Sequence, residues 1–153
     1  MDSSVSHRGL QGPWRRVLFV SLYELIAIAA ASLLFIAVGQ QPMESGVMSV
    51  IASTLAVAWN VTFNHLFERW EMRQSVKGRS VARRVAHALG FEGGLALMLI
   101  PLMAWWFGVG LWQATLMEAG LLVFFLLYTY VFNWGFDRIF GLPASAQALA
   151  ASS

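Results

Sequence analysis

Four segments of this 153-residue chain are each long and apolar enough to cross a lipid bilayer. They run over 17–38, 46–67, 86–107 and 111–134. About 20 apolar residues in a helix cover the ~30 Å hydrocarbon core, where helices satisfy their own backbone polar groups. With 58% hydrophobic and only 12% charged residues, the chain has too little polar surface to face water. The sequence therefore predicts an all-α membrane protein with four transmembrane helices.

The basic residues predict the direction of these helices. All ten lysines and arginines precede the first segment, lie between the second and third, or follow the fourth. The two short connections, GQQPMES and GVG, contain neither residue, so each is expected to close a tight helical hairpin. Because basic loops stay in the cytoplasm, both termini are predicted to be cytoplasmic and the orientation to be fixed. A fixed orientation and a small four-helix interior favour a parallel homodimer.

The chain contains a tandem repeat of a two-helix unit. RRVLFVSLYE (15–24) aligns without gaps with RRVAHALGFE (83–92), and WNVTFNHLFER (59–69) aligns with YTYVFNWGFDR (128–138). Both copies start and end on the same side, so the sequence predicts two tandem parallel repeats. The predicted boundaries are a cytoplasmic tail over 1–14, repeats over 15–69 and 83–138, a basic loop over 70–82, and a cytoplasmic tail over 139–153.

Three glutamates interrupt the apolar segments. Glu24 lies roughly 12 Å along the helix axis from the arginine pair that opens the first repeat, and a charged carboxylate there costs about 2.5–3.5 kcal/mol. Such an acid can hold a proton or a cation in turn, which is the minimum chemistry of an exchanger. Glu92 occupies the matching position of the second repeat, and Glu118 lies near the outer end of the fourth segment. The alternatives are hydrogen bonding across a helix interface for Glu24, pairing with Arg84 or His87 for Glu92, and surface exposure for Glu118.

Amide and aromatic side chains lie at similar depth in the membrane. Asn60 and Asn64 are four residues apart and share one helix face, where amides more often tie helices together than bind a substrate. Trp59 lies deeper than the tryptophans that mark the two membrane interfaces. It could belong to an aromatic wall for a flat or cationic ligand, and ordinary packing is the alternative. The predicted wall comprises Tyr23, Trp59, Phe63 and Phe91.

Two histidines lie near the inner interface on different helices. At similar depth, His65 and His87 could ligate a haem or a metal. The repeat argues against this role because His65 aligns with Trp134 and His87 with Phe19. A proton relay or a local hydrogen bond is the preferred interpretation of His87, and Glu118 is a second candidate for a proton site. The sequence has no cysteine, nucleotide loop or hydrolytic triad. We therefore expect no enzyme activity, no cofactor, no metal and no nucleic-acid partner.

Together these motifs resemble the bacterial transmembrane pair domain of the proteobacterial antimicrobial compound efflux (PACE) family, over about residues 14–140. The resemblance implies an inner-membrane, proton-coupled exporter of cationic biocides such as chlorhexidine. For some members it also implies export of acridines, quaternary ammonium compounds or short diamines. It further implies that Glu24 is the key functional acid. The remaining family motifs fall on Trp59, Asn60, Phe63, Asn64, Phe67, Glu68, Arg84, His87, Phe91 and Glu92. This chain departs from the family pattern at Phe19, where a histidine is common, and at Tyr23, where phenylalanine is usual.

The sequence thus predicts a transporter that exchanges protons for a lipophilic cation in the bilayer. Glu24 would be the shared proton and cation site, with Glu92 as its counterpart. The predicted substrate-binding residues are Tyr23, Trp59, Asn60, Phe63, Asn64 and Phe91, and the candidate proton-relay residues are His87 and Glu118. Two alternatives stay open from the residues alone: a non-transporting structural membrane protein and a small haem-binding protein.

Overall fold

The described chain consists of four helices. The computed structural model describes residues 12–74 and 81–141. The helices are α1 (Gly12–Ala37), α2 (Pro42–Met72), α3 (Val81–Phe107) and α4 (Leu111–Phe140). Each of these four contains an apolar stretch long enough to cross a membrane. The prediction of an all-α, multi-pass membrane protein is confirmed for this part of the chain, while the side on which the termini lie stays a prediction.

Each helix runs further than its predicted apolar span, by about one and a half turns, at the end that carries the basic residues. The apolar span covers only the hydrocarbon core, whereas a helix continues into the interface, where charged groups reach water. Arg15, Arg69, Arg83 and Arg138 all lie in these helical extensions. Arg8, Lys77 and Arg79 lie outside the described residues, as do most of the two predicted tails.

Glycine permits the two short turns. Gly39 follows α1 with a φ of 96°, and Gly108 follows α3 with a φ of 64°. Residues with a Cβ rarely adopt this left-handed conformation, so glycine is the residue that fits. The Gly39 N–H donates to the Ile36 carbonyl at 2.9 Å, and the Val109 N–H donates to the Ala104 carbonyl at 3.0 Å. These bonds satisfy carbonyl groups that the helix ends would otherwise leave without partners.

The described residues divide into two compact units. The first unit contains the start of α1 (12–27) and the second half of α4 (123–141). The second unit contains the end of α1, all of α2 and α3, and the start of α4, between residues 28 and 122. Buried side chains of the second unit recur every three or four residues, which defines the inward stripe of each helix. They are Ala31, Phe35, Ser45, Met48, Ser49, Leu99, Met103, Ala114, Met117 and Leu121.

Candidate functional site: two related aromatic clusters

In the second unit, α2 and α3 meet through aromatic rings on one helix and glycines on the other. A Cβ added to Gly90 would lie 2.9 Å from Cζ of Phe63. A Cβ added to Gly94 would lie 2.7 Å from Cε2 of Trp59 and 2.9 Å from Cη2, and closer still to Cζ2. The two glycines are four residues apart, as are the two rings, so each pair lies on one helix face and the rings of α2 pack against the glycines of α3.

These residues belong to an α2/α3 cluster. Its members are Trp59, Phe63, Phe67, His87 and Phe91. The Trp59 Nε1–H donates to the Phe91 carbonyl at 2.9 Å, which fixes the indole against α3. Ring centroids lie 5.4 Å apart for Trp59 and Phe63 and 5.9 Å apart for Phe63 and Phe91. Three of the four predicted wall residues are therefore brought together, and the fourth, Tyr23, lies in the first unit.

The predicted amide and histidine residues form one hydrogen-bonded chain in the same place. The Asn64 amide nitrogen donates to Asn60, to the backbone carbonyl at 2.9 Å and to Oδ1 at 2.8 Å. His87 Nε2 lies 2.8 Å from Asn64 Oδ1. Because Asn64 already donates through its amide nitrogen, its carbonyl oxygen accepts, and Nε2 of His87 is the donor. The imidazole also packs edge-on against Phe63 and Phe67, at 5.1 and 4.7 Å.

Two of the three glutamates predicted to lie inside the membrane segments, Glu92 and Glu118, belong to this unit. Glu92 directly follows Phe91 in α3 and is partly buried. Glu118 in α4 is also partly buried, and its Oε2 is fully buried without a hydrogen-bond partner among the described residues. A buried polar atom without a partner is costly and often marks a functional position. Glu118 is thus an inward-facing acid, which disfavours the surface alternative.

The first unit contains a related α1/α4 cluster. Its members are Phe19, Tyr23, Tyr128, Phe132 and Phe136. Phe19 packs edge-on against Phe132 and Phe136 at 5.2 and 5.0 Å, and the Tyr23 and Tyr128 rings lie 4.9 Å apart. Glu24, the principal predicted acid, directly follows Tyr23 and is partly buried.

Polar contacts hold the α1/α4 cluster together. The Tyr128 hydroxyl donates to the Tyr23 carbonyl at 2.8 Å, and the Tyr23 hydroxyl shares a 2.8 Å hydrogen bond with Thr129. Closer to the helix ends, Arg15 forms an ion pair with Asp137 at 2.6 Å. The Arg15 guanidinium also donates to the Gly141 carbonyl at 2.9 Å.

The two clusters match position by position through the sequence repeat. Trp59 aligns with Tyr128 and Phe91 with Tyr23. In each cluster, the ring on α2 or α4 donates a hydrogen bond to the backbone carbonyl of the aligned residue on α3 or α1. Tyr128, Phe132 and Phe136 were not among the predicted site residues. The alignment of WNVTFNHLFER with YTYVFNWGFDR could have predicted them, since they align with Trp59, Phe63 and Phe67.

The described residues contain no group of three or more histidine, aspartate or glutamate side chains arranged to hold a metal ion. His65, the second candidate ligand, is exposed on α2. His87 is instead engaged with Asn64 through its Nε2. Of the two histidines, His87 belongs to the α2/α3 cluster, where it is a hydrogen-bonding group.

Comparison with known proteins bears on both the repeat and the function. A family model described as chlorhexidine efflux transporter matches residues 11–73 and, a second time, residues 79–142. The short-chain diamines transporter of Acinetobacter baylyi is 36% identical over 126 residues, which cover 82% of this chain and 89% of that protein. The short-chain diamines transporter of Vibrio parahaemolyticus is 36% identical over 128 residues, with 81% and 89% covered. That of Acinetobacter baumannii is also 36% identical over 128 residues, with 82% and 87% covered.

No solved structure matches the chain at a significant level. The double match to one family model confirms the predicted tandem repeat, since each copy covers one two-helix unit. The motifs in the sequence and the extent of these matches agree. This chain belongs to the chlorhexidine efflux transporter family, and it is a transporter rather than an enzyme.

Proposed function

We propose that this protein exports small cations by exchanging them for protons at glutamates inside its membrane helices. The observation that carries the proposal is the match of both repeats to an efflux family, with a partly buried glutamate beside an aromatic cluster in each. Its relatives are named short-chain diamines transporters, so a short diamine is the first substrate to test. Chlorhexidine, acridines and quaternary ammonium compounds are further candidates, as lipophilic cations of the same class.

Glu24 is proposed as the principal site for both proton and cation. A charged carboxylate in a membrane helix is expensive, so binding either a proton or a substrate cation lowers that cost. Tyr23 directly precedes it and contributes a ring whose face attracts cations. Competition for one carboxylate couples the two movements, because a cation binds there only after the proton has left.

Glu92 is proposed as the counterpart of Glu24 in the second repeat. The aromatic rings beside it would bind the apolar or flat part of a substrate, and the amides would orient its polar groups. The proposed binding residues of this unit are Trp59, Asn60, Phe63, Asn64 and Phe91. His87 and Glu118 are proposed to pass protons, since one is hydrogen-bonded into the amide chain and the other has a buried oxygen without a partner.

The distribution of basic residues supports a proposed membrane, orientation and oligomeric state for this protein. Basic residues flank the helices at one end only, which favours a single orientation in the bacterial inner membrane with both termini in the cytoplasm. Two chains in the same orientation would form the proposed parallel homodimer.

The experiment compares wild type with Glu24→Gln in proteoliposomes under an imposed proton gradient. Movement of an acridine dye and of 1,5-diaminopentane would be followed in separate assays. We expect wild type to move at least one of them, and Glu24→Gln to abolish the movement because a neutral amide cannot trade a proton for a cation. Glu44→Gln is the matched control, since Glu44 is exposed in the first turn of α2. Undiminished gradient-driven transport by Glu24→Gln would disprove the mechanism.

A further inference from the structure

Gly94 occupies a position where no larger residue fits beside Trp59. A Cβ there would overlap the indole ring at three of its carbon atoms. Its neighbour Gly93 has open space around the same hypothetical Cβ. The missing side chain at position 94 therefore makes room for the Trp59 ring, whereas the missing side chain at position 93 makes room for no neighbouring group.

The ring beside Gly94 cannot easily move away. Its Nε1–H is committed to the Phe91 carbonyl at 2.9 Å, and the ring also packs on Phe63. Unbonded carbon atoms approach to about 3.5–4.0 Å. A methyl group at position 94 would therefore push the indole about 1 Å or more away from α3 and break or bend that hydrogen bond.

The aligned positions of α1 and α4 show the opposite combination of sizes. Ile26 aligns with Gly94, and Tyr128 aligns with Trp59. At the aligned positions α1 thus carries a branched side chain and α4 the smaller ring, whereas α3 carries glycine and α2 the larger ring. Both rings still donate to the carbonyl of the opposite helix. The size of the residue at 26 or 94 therefore varies inversely with the size of the ring.

We propose that Gly94 is a positioning residue that sets substrate selectivity: it lets the Trp59 indole approach α3 closely enough to donate to the Phe91 carbonyl, and so keeps the ring clear of the space in which a planar aromatic cation would bind beside it. This inference rests on the proposed function, in which the substrate contacts Trp59. A side chain at position 94 pushes the indole into the space that a flat ring system would occupy. A slender diamine needs less of that space and is affected less.

The test measures the ratio of acriflavine transport to 1,5-diaminopentane transport in proteoliposomes for Gly94→Ala and Gly93→Ala. Both changes add one methyl group at neighbouring positions of α3, so their effects on helix propensity match. We expect Gly94→Ala to lower the ratio on the order of tenfold, the scale on which one methyl group changes discrimination in an apolar pocket. Gly93→Ala should leave the ratio within about twofold.

A compensating exchange separates positioning from folding. Trp59→Tyr combined with Gly94→Ile recreates the residues of α1 and α4, Ile26 and Tyr128, at the aligned positions, and a tyrosine hydroxyl can replace the indole N–H as donor. We expect this double variant to transport 1,5-diaminopentane at a rate closer to wild type than Gly94→Ile alone. Failure of the exchange to improve on Gly94→Ile, in protein that elutes as a single species, would count against the proposal.

Trp59→Ala shows which claim has failed if Gly94→Ala leaves the ratio unchanged. If Trp59→Ala changes the ratio, the substrate contacts Trp59, and Gly94 does not set selectivity. If Trp59→Ala also leaves it unchanged, the substrate does not use this ring, and the inference fails together with the proposed role of Trp59. An equal fall for both substrates in Gly94→Ala would show a packing role only. Proton exchange at Glu24 is tested independently by Glu24→Gln.

Discussion

The α1/α4 and α2/α3 clusters have the same layout of rings but are held by different polar contacts. Both place one edge-on ring between two phenylalanines, Phe19 in one copy and the imidazole of His87 in the other. The first is held by the Arg15–Asp137 ion pair and by tyrosine hydroxyls. In the second, the amides of Asn60 and Asn64 and the imidazole form a hydrogen-bonded chain, with glycines at the helix contact.

This difference indicates which part of the repeat the structure requires and which part is free to diverge. The shared part is the packing of rings and one hydrogen bond from a ring to the opposite backbone carbonyl. In a membrane, van der Waals packing and interhelical hydrogen bonds supply helix association, because lipid is as apolar as the side chains. The remaining polar contacts described above differ between the two clusters, so they are the positions at which one cluster can acquire a role that the other lacks.

Removal of the Arg15–Asp137 ion pair is expected to lower the free energy of unfolding more than any other change considered below. Asp137→Asn removes the charge that faces Arg15, whose side chain is only 15% exposed. Hydrogen bonds to charged groups contribute about 1.5–3 kcal/mol, and the 37% exposure of Asp137 reduces this. We expect a loss of about 1–2 kcal/mol in the free energy of unfolding, measured by denaturation in detergent.

Glu68→Gln is the matched control for that loss. Glu68 aligns with Asp137 in the other repeat and is exposed. Changes at such positions are usually within about 0.5 kcal/mol. Equal losses from the two variants would mean that Asp137 and Glu68 contribute equally to stability, and the ion pair would then not distinguish the two clusters.

The ring-to-carbonyl bond is tested by Tyr128→Phe. This change removes only the hydroxyl that donates to the Tyr23 carbonyl and keeps the ring packing. Interhelical hydrogen bonds in membrane proteins contribute about 0.6 kcal/mol on average, and hydrogen bonds generally about 1 kcal/mol. We expect a loss within that range in the same unfolding measurement. Tyr130→Phe, at a ring that is 75% exposed, should change stability by clearly less. If the two variants cannot be distinguished, this bond does not contribute to stability.

Much of this architecture could be predicted from the sequence. Apolar length gave the four helices, and the alignment of 15–24 with 83–92 gave the repeat, because both are periodic features that need no tertiary information. The depth of Trp59 and the four-residue spacing of Asn60 and Asn64 also placed these residues together, since one helical face is a local property.

The contacts between distant helices could not be predicted in the same way. The partner of Arg15 is Asp137, 122 residues away in the sequence, and no local pattern indicates it. The role of Gly94 depends on a ring from α2 whose rotamer is set by a hydrogen bond to α3. Both facts are properties of how helices meet, whereas the sequence shows only what each helix contains.

The smallest expected effect comes from exchanging the two central edge-on residues. His87→Phe gives the α2/α3 cluster the residue of the α1/α4 cluster, keeps an aromatic ring between Phe63 and Phe67, and removes the hydrogen bond to Asn64. We expect a loss of about 0.6 kcal/mol in the free energy of unfolding. Gradient-driven diamine transport should fall further than this small loss explains, because the proposed relay loses its titrating group.

Phe19→His is the reverse exchange and makes the comparison quantitative. Asn133, the counterpart of Asn64, donates its amide to the Thr129 carbonyl at 2.7 Å, so its own carbonyl oxygen is the group that a histidine at position 19 is expected to meet. We expect stability to rise or stay constant, with no change in transport, because a hydrogen bond alone does not create a relay. A transport loss in Phe19→His equal to that in His87→Phe would show that the ring, and not the proton, matters at this position, and His87 would then be a packing residue.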